Sequence, residues 1–225
     1  MKIGLIILCR YNSSRLPGKI LKQINGKEIL TYIYERLLLS NYSNQIVVAT
    51  SNNSDDDIIE EFCKTNQINC YRGSKDNVAQ RFLDCATAFR FDYAVRINGD
   101  NILLDSHLID KLVEISLKEK YDFVSNVKGR SFPEGISVEV LNINFYRNVI
   151  HLFNEQRIKE HVTLFFYENE IGKYYFYYRT IKDILPKLAL DTESDLKFIT
   201  KIISSMNKAH TEYVLDEILE LAKKV

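Results

Sequence analysis

The chain has 225 residues, 46% of them hydrophobic and 27% charged, enough for one domain with a substantial core. Thirty acidic and thirty basic side chains cancel, which excludes nucleic-acid or membrane-surface binding by bulk charge and leaves room only for a local basic pocket. The N-terminal apolar run is too short for a membrane span and is broken too soon by Arg10 for a signal peptide, while Cys9, Cys63, Cys70 and Cys85 have no metal-ligand spacing; a cytoplasmic protein with reduced thiols is expected.

The first predicted element is a strand, Ile3 to Leu8, continuously apolar and therefore buried on both faces. It empties into Arg10-Tyr11-Asn12-Ser13-Ser14-Arg15-Leu16-Pro17-Gly18-Lys19. Arg10, Arg15 and Lys19 supply three cations, and Ser13 and Ser14 supply hydroxyls. Beyond the carboxyl end of a parallel strand, cations and loop amides can hold phosphate. Pro17 stiffens the loop and Gly18 lets its backbone come close. Neither G-x-x-x-x-G-K-[ST] nor G-x-G-x-x-G is present.

A helix follows over Lys27 to Leu39, then a buried strand from Gln45 to Thr50. Ser54 is placed to cap the next helix, with Asp55, Asp56 and Asp57 at the positive end of its dipole; capping, rather than a metal motif, explains these aspartates. Ile68 to Tyr71 reads as a third strand, and a helix over Asp76 to Phe89 carries Arg81. A fourth strand, Phe91 to Ile97, ends in Asn98-Gly99-Asp100, and Asp105 or Ser106 caps a helix reaching about Leu117. Tyr121 to Asn126 is a fifth strand, and alternation from Ile136 through Glu139 marks another.

From Ile143 to about Glu168 the pattern is helical and contains His161. Tyr174 to Tyr178 is an aromatic strand with large rings on both faces, suited to a core or to a subunit interface. Leu188-Ala189-Leu190 is expected to be a last strand, ending at Asp191. Thr192 and Asp195 form a capping box, which leaves Asp191 unexplained. Asp100 and Asp191 thus both end apolar strands, and in a parallel sheet they converge at one edge of a cleft. Two carboxylates there can hold Mg²⁺, a hard cation that shares oxygen ligands with substrate phosphates.

Several of these segments carry longer patterns. Arg10 to Lys19 reads R-x-x-S-x-R-L-P-x-K, and Asp76-Asn77-Val78-Ala79-Gln80-Arg81-Phe82 places an acid, a valine and an arginine before an aromatic. Arg96 to Asp105 is similar to R-x-[NT]-G-D-x-P-L-I-D, with Ile102 where proline is usual. Pro133 to Glu139 is similar to P-[DE]-G-x-D-x-E, with Ser137 where an acid is common. Lys159-Glu160-His161-Val162-Thr163 is similar to R-E-H-V-T, and Asp191 to Leu196 reads D-T-x-x-D-L.

Together they resemble the cytidylyltransferases that activate acidic sugars. These are the 3-deoxy-manno-octulosonate and acylneuraminate enzymes and the spore coat polysaccharide biosynthesis protein F family. The resemblance implies an α/β, Rossmann-like nucleotidyltransferase (GT-A-like) fold with a mostly parallel central sheet flanked by helices. A single domain, 1–225, would carry an excursion within about 127–185 for dimerisation and the acceptor.

The implied reaction transfers CMP from CTP to a sugar acid or related acidic or phosphorylated acceptor, releasing pyrophosphate, in surface polysaccharide biosynthesis. Cys9, Arg10, Asn12, Ser13, Arg15, Lys19, Asp76, Arg81, Asn98 and Gly99 would bind the nucleotide. Lys19, Arg10 and Asp100 would be catalytic, and Asp100 and Asp191 would hold Mg²⁺. Glu139, His161 and Arg96 would face the acceptor. The implied partners are CTP, that acceptor and a second copy of the chain through Tyr174–Tyr178, with no nucleic acid and no membrane.

A GT-A-type glycosyltransferase would use a D-x-D, of which Asn98-Gly99-Asp100 lacks the first acid. A sugar-phosphate nucleotidyltransferase would carry G-x-G-T-R-L instead of Tyr11-Asn12-Ser13. A non-catalytic interaction protein on this fold would not need the phosphate and metal positions together.

Overall fold

The computed structural model describes residues 1–13, 15–180 and 185–225, so the expected hydroxyl of Ser14 lies outside the described residues. β1 (Ile3–Leu8) is buried along its whole length. It is followed by a small hairpin, β2 (Gln23–Ile24) and β3 (Lys27–Glu28), and then by α1 (Ile29–Leu37). Next come β4 (Ile46–Ser51), α2 (Asp57–Thr65), β5 (Asn69–Gly73), α3 (Val78–Ala88), β6 (Tyr93–Asn98), α4 (Ser106–Glu119) and β7 (Phe123–Ser125). The second half contributes β8 (Glu139–Asn142), α5 (Ile143–Val149), α6 (Gln156–Glu160), α7 (Leu164–Glu168), β9 (Tyr174–Phe176), α8 (Glu193–Ser204) and α9 (Leu215–Ala222).

Seven strands form one sheet in the order β5-β4-β1-β6-β8-β7-β9. β1 pairs in parallel with β4 on one side and β6 on the other, and β5 extends the β4 edge in parallel. β8 runs antiparallel between β6 and β7, and β9 closes the far edge parallel to β7. The mostly parallel sheet expected from the sequence is therefore present, with one reversed strand. Chain order changes direction at β1, between β4 and β6. Ligands of open α/β sheets bind outside the carboxyl ends of the strands at such a point.

Alternation along β1 serves both faces. Ile3, Leu5 and Ile7 enter one apolar cluster with α1, α4, α8 and α9, while Ile6 and Leu8 enter another with α3, α5 and α7. A buried Arg36 on α1 donates to the carbonyls of Leu104, His210 and Tyr213, tying the C-terminal segment to the loop after β6.

Several expectations need correction. Asn53, not Ser54, caps the turn before α2: its side chain accepts from the Asp55 amide, and Asp56 is drawn into the interior. The helical pattern over Ile143–Glu168 is broken into α5, a 3-10 turn and two short helices. A straight helix of that length would run roughly 39 Å. Folding it back instead buries Phe153, Ile158, Val162, Phe165 and Phe166 in one cluster, and the Tyr146 hydroxyl donates to the Val162 carbonyl at 2.9 Å.

Leu188–Leu190 is no sheet strand. Its amides bond to irregular backbone, Leu188 to the Glu134 carbonyl and Leu190 to that of Asp100. The caps at Asp105 and at Thr192–Asp195 form as expected.

Candidate active site

The loop after β1 is held from below by Asp56. One carboxylate oxygen accepts from the Tyr11 amide at 2.6 Å, and the other accepts from the amide and hydroxyl of Ser51. Burial pushes the Asp56 carboxyl up, but these bonds together hold it below its usual value. The Tyr11 carbonyl in turn accepts from the amides of Ser13 and Gly18, each at 3.0 Å. Gly18 takes a positive φ of 68°, which turns the chain into the 3-10 segment that starts at Lys19.

Beyond the carboxyl ends of β1 and β6 lies a cleft of about 330 Å³. The β1 loop lines it with Cys9, Arg10, Ser13, Arg15 and Lys19. β6 and the turn after it contribute Arg96, Asn98, Gly99 and Asp100. Arg81 enters from α3, Glu160 and His161 from the end of α6, and Asp191 from the segment before α8. Gly99 permits the close approach of the two central strand ends, because a Cβ there would lie 2.9 Å from Cys9 Cβ. Cys9 is buried, and that burial pushes its thiol well up; it lines the cleft as a neutral group.

Charge is concentrated here. Asp191 accepts from Lys19 Nζ at 3.3 Å and forms an ion pair with Arg15 Nη2 at 3.0 Å, and Lys187 Nζ stands 3.5 Å from its other oxygen. Arg10 Nη2 meets Glu160 Oε1 at 3.1 Å. Asp100 joins Asp191 because the Leu190 amide donates to the Asp100 carbonyl at 3.1 Å. A main-chain bond, rather than a second parallel strand, thus brings the two acids together. Asp100 Oδ1 is buried with no hydrogen-bond partner. Burial pushes the Asp100 carboxyl up, and Asp191 adds to this while Lys19 opposes it.

A buried, unpartnered carboxylate oxygen beside a second acid is a donor set that a hard cation fits. Among the described residues no cluster of three or more metal-ligating side chains exists, so such an ion would draw its remaining oxygens from water and phosphate.

The other assigned residues divide. Arg81 is buried, donates from Nη1 to the Ser74 carbonyl at 2.8 Å, and lines the cleft. Asn12 instead donates to Asp55 at 2.7 Å on the exposed surface, and Asp76 is exposed, its carbonyl taken by Gln156; neither lines the cleft. Glu139, expected on the acceptor side, is 2% exposed and lies behind Arg96, bonded to Arg96, Thr163 and Tyr167; it does not line the cleft.

Sequence reasoning misses Asp56, Glu160 and Tyr167. Glu160 sits inside the K-E-H-V-T run and could be found there. Asp56 is absorbed into a capping explanation, and nothing local marks Tyr167.

The cytidylyltransferase family profile matches residues 5–219. The solved structure of a cytidylyltransferase from Leptospira borgpetersenii superposes with a TM-score of 0.94 at 31% identity, covering 100% of this chain and 94% of that one. The spore coat polysaccharide biosynthesis protein SpsF of Bacillus subtilis is 30% identical over 165 residues, 71% of this chain and 68% of its own. The 8-amino-3,8-dideoxy-manno-octulosonate cytidylyltransferase of Shewanella amazonensis is 32% identical over 126 residues, 55% of this chain and 51% of its own. No described helix is long and apolar enough to cross a membrane. The profile match runs from β1 into α9 and takes in every segment that reaches the cleft, so the chain belongs to the cytidylyltransferase family.

Proposed function

We propose that this cytidylyltransferase transfers CMP from CTP to a small sugar acid or similar acidic acceptor, releasing pyrophosphate, for surface polysaccharide assembly. The observation that carries the reading is the cleft's three loop cations, paired with Glu160 and Asp191, beside Asp100, whose buried Oδ1 has no hydrogen-bond partner. The names of the SpsF and octulosonate relatives support an acidic sugar as acceptor.

Arg10, Arg15 and Lys19 are each occupied by a carboxylate in the free protein. On binding CTP they exchange those partners for β- and γ-phosphate oxygens, and they stabilise the charge that builds on pyrophosphate as it leaves. Asp100 and Asp191 would hold Mg²⁺, which when bound supplies positive charge to the phosphates and lowers the pKa of an acceptor hydroxyl. Asn98 and Gly99 shape the floor between the two strand ends, with Arg81 on the α3 side and His161 on the acceptor side. No covalent nucleophile is required.

We place the enzyme in the cytoplasm, where CTP is supplied, as a homodimer. The dimer is supported by β9, an edge strand with no further partner among the described residues, with Tyr175 exposed on it and Tyr178 exposed just beyond it.

The test is a pyrophosphate-release screen of CTP, UTP, ATP and GTP with Mg²⁺ against a panel of 2-keto sugar acids and sugar phosphates. Turnover with CTP and an acid is expected. Release with another nucleotide in preference to CTP, or with neutral sugars alone, would refute the proposal.

A further inference from the structure

Four free cysteines lie on or against the β1, β4 and β5 side of the sheet, and of these only Cys9 lines the cleft. Two of the others meet. α2 ends in a tight turn, in which the Ile68 amide donates to the Cys63 carbonyl at 2.8 Å and Gln67 takes a positive φ of 56°. The turn lays β5 back along the helix, so that Cys63 in the last turn of α2 and Cys70 in β5 pack into one apolar cluster. The Cys63 thiol donates a hydrogen bond to the Cys70 sulfur. Cys63 is fully buried, whereas Cys70 is half-buried and opens onto a surface groove of about 860 Å³ beside Lys64 and Arg72.

The two thiols are not equivalent. The bond from Cys63 lowers the Cys70 thiol, and Arg72 adds to this, against burial and Glu60. The same bond, with burial, pushes Cys63 up, while burial pushes Cys9 well up and Cys85 to about 12. The thiolate is the nucleophilic form, so Cys70 reacts first. Cys70 is also two positions from Arg72, which spans several elements. Arg72 donates to the carbonyls of Ser51 at 3.0 Å and Asn53 at 2.7 Å, and its Nη1 pairs with Asp57 and Glu60 of α2. The Ser51 amide is bonded to Asp56, whose other oxygen accepts from the Tyr11 amide. A run of bonds therefore leads from the thiol pair to the basic loop.

We propose that Cys70 and Cys63 form a peroxide-sensitive pair that closes to a disulfide and so weakens the grip of the basic loop on phosphate. The Cys70 thiolate attacks one oxygen of hydrogen peroxide; the O–O bond breaks, hydroxide leaves and Cys70 becomes a sulfenic acid. The Cys63 sulfur then attacks that sulfur, and its proton leaves with the sulfenic hydroxyl as water. Two electrons pass from the thiols to peroxide. A sulfur–sulfur bond of about 2.05 Å is shorter than a thiol–thiol contact, so the end of α2 and β5 draw together and Arg72 between them shifts.

The test treats the reduced protein with hydrogen peroxide, blocks remaining thiols and maps tryptic peptides by mass spectrometry. Trypsin cuts after Lys64 and Arg72, so the expected bond joins residues 37–64 to residues 65–72, and reduction separates them. CTP affinity by calorimetry should fall about twofold or more on oxidation, and dithiothreitol should restore it. Cys70→Ser should keep its CTP affinity in peroxide. Cys63→Ser should stop at the sulfenic acid, trapped by dimedone; if that buried variant does not fold, Cys70→Ser carries the test. No crosslink, a crosslink through Cys9 or Cys85, or a crosslinked protein with undiminished CTP affinity overturns the proposal. Reduced protein that binds no CTP would overturn the proposed function and the effect on the loop together, whereas the peptide map decides the thiol pair without nucleotide.

Discussion

Lys19 and Asp191 meet at 3.3 Å across 172 positions of sequence, and each is only partly exposed. Removing a charged phosphate ligand from such a site should cost about 1.5–3 kcal/mol. Lys19→Met should therefore bind CTP at least about tenfold more weakly by calorimetry. Asp100 makes a different prediction. Its carboxyl is buried and pushed up, with Oδ1 unpartnered, so its charge costs stability at every pH above its raised value. Asp100→Asn should abolish Mg²⁺-dependent turnover and leave the melting temperature equal or higher at neutral pH; a lower one would mean that the acid serves the fold. That Arg10, Arg15 and Lys19 share one cleft is legible in the sequence, because a strand, a short loop and their spacing lie within a few residues of one another. The place of Glu139 is not, because its meaning comes from Arg96, Thr163 and Tyr167, which only the sheet brings together.

The elements are readable where a periodic run meets a capping residue, as at Asp105 before α4 and Thr192 before α8. They mislead where tertiary contacts override local pattern. Leu188–Leu190 looks like a strand and bonds like one only to irregular backbone, and the broken run through α5, α6 and α7 is helical in period throughout. Asp56 shows how an element can serve a loop it does not contain. It precedes α2, yet it accepts the Tyr11 amide and so fixes the loop after β1. Asp56→Ala would leave the buried Ser51 amide and the Tyr11 amide without this partner, destabilising the protein by about 1–3 kcal/mol in chemical denaturation. CTP binding should weaken in parallel, because the basic loop loses its support. A variant with wild-type CTP affinity would show that the loop holds its shape without Asp56.

At the scale of the molecule, the edge strand β9 and the C-terminal segment make separate predictions. Tyr175→Glu should convert the proposed dimer to a monomer in light scattering, since it puts a charge on an exposed edge. The C-terminal segment should be acid-sensitive through His210, which packs against Tyr32 and bonds Glu35 at 2.6 Å. Burial pushes its imidazole below the ordinary value of 6.5, more than Glu35 pulls it back. The unfolded chain then binds the proton more readily than the folded one. Stability is fully present above about pH 6.5 and falls as pH drops through that value toward the lowered one. His210→Gln should remove that part of the decline in a series of melting curves.

The placement of β1 also governs the order in which the molecule can form. It precedes its two neighbours in the chain and lies inside the sheet, with Leu5 paired to Ile46 on one edge and Ile3 to Tyr93 on the other. Neither partner is local, so loop closure must precede most of the sheet's reward, and refolding should be slow for a chain of this size. The cleft is later still, because Asp191 reaches Asp100 only through the backbone bond made by Leu190. In stopped-flow refolding, recovery of CTP binding should trail recovery of far-ultraviolet circular dichroism. A nascent chain released before that segment would hold its central strands and lack its second acid.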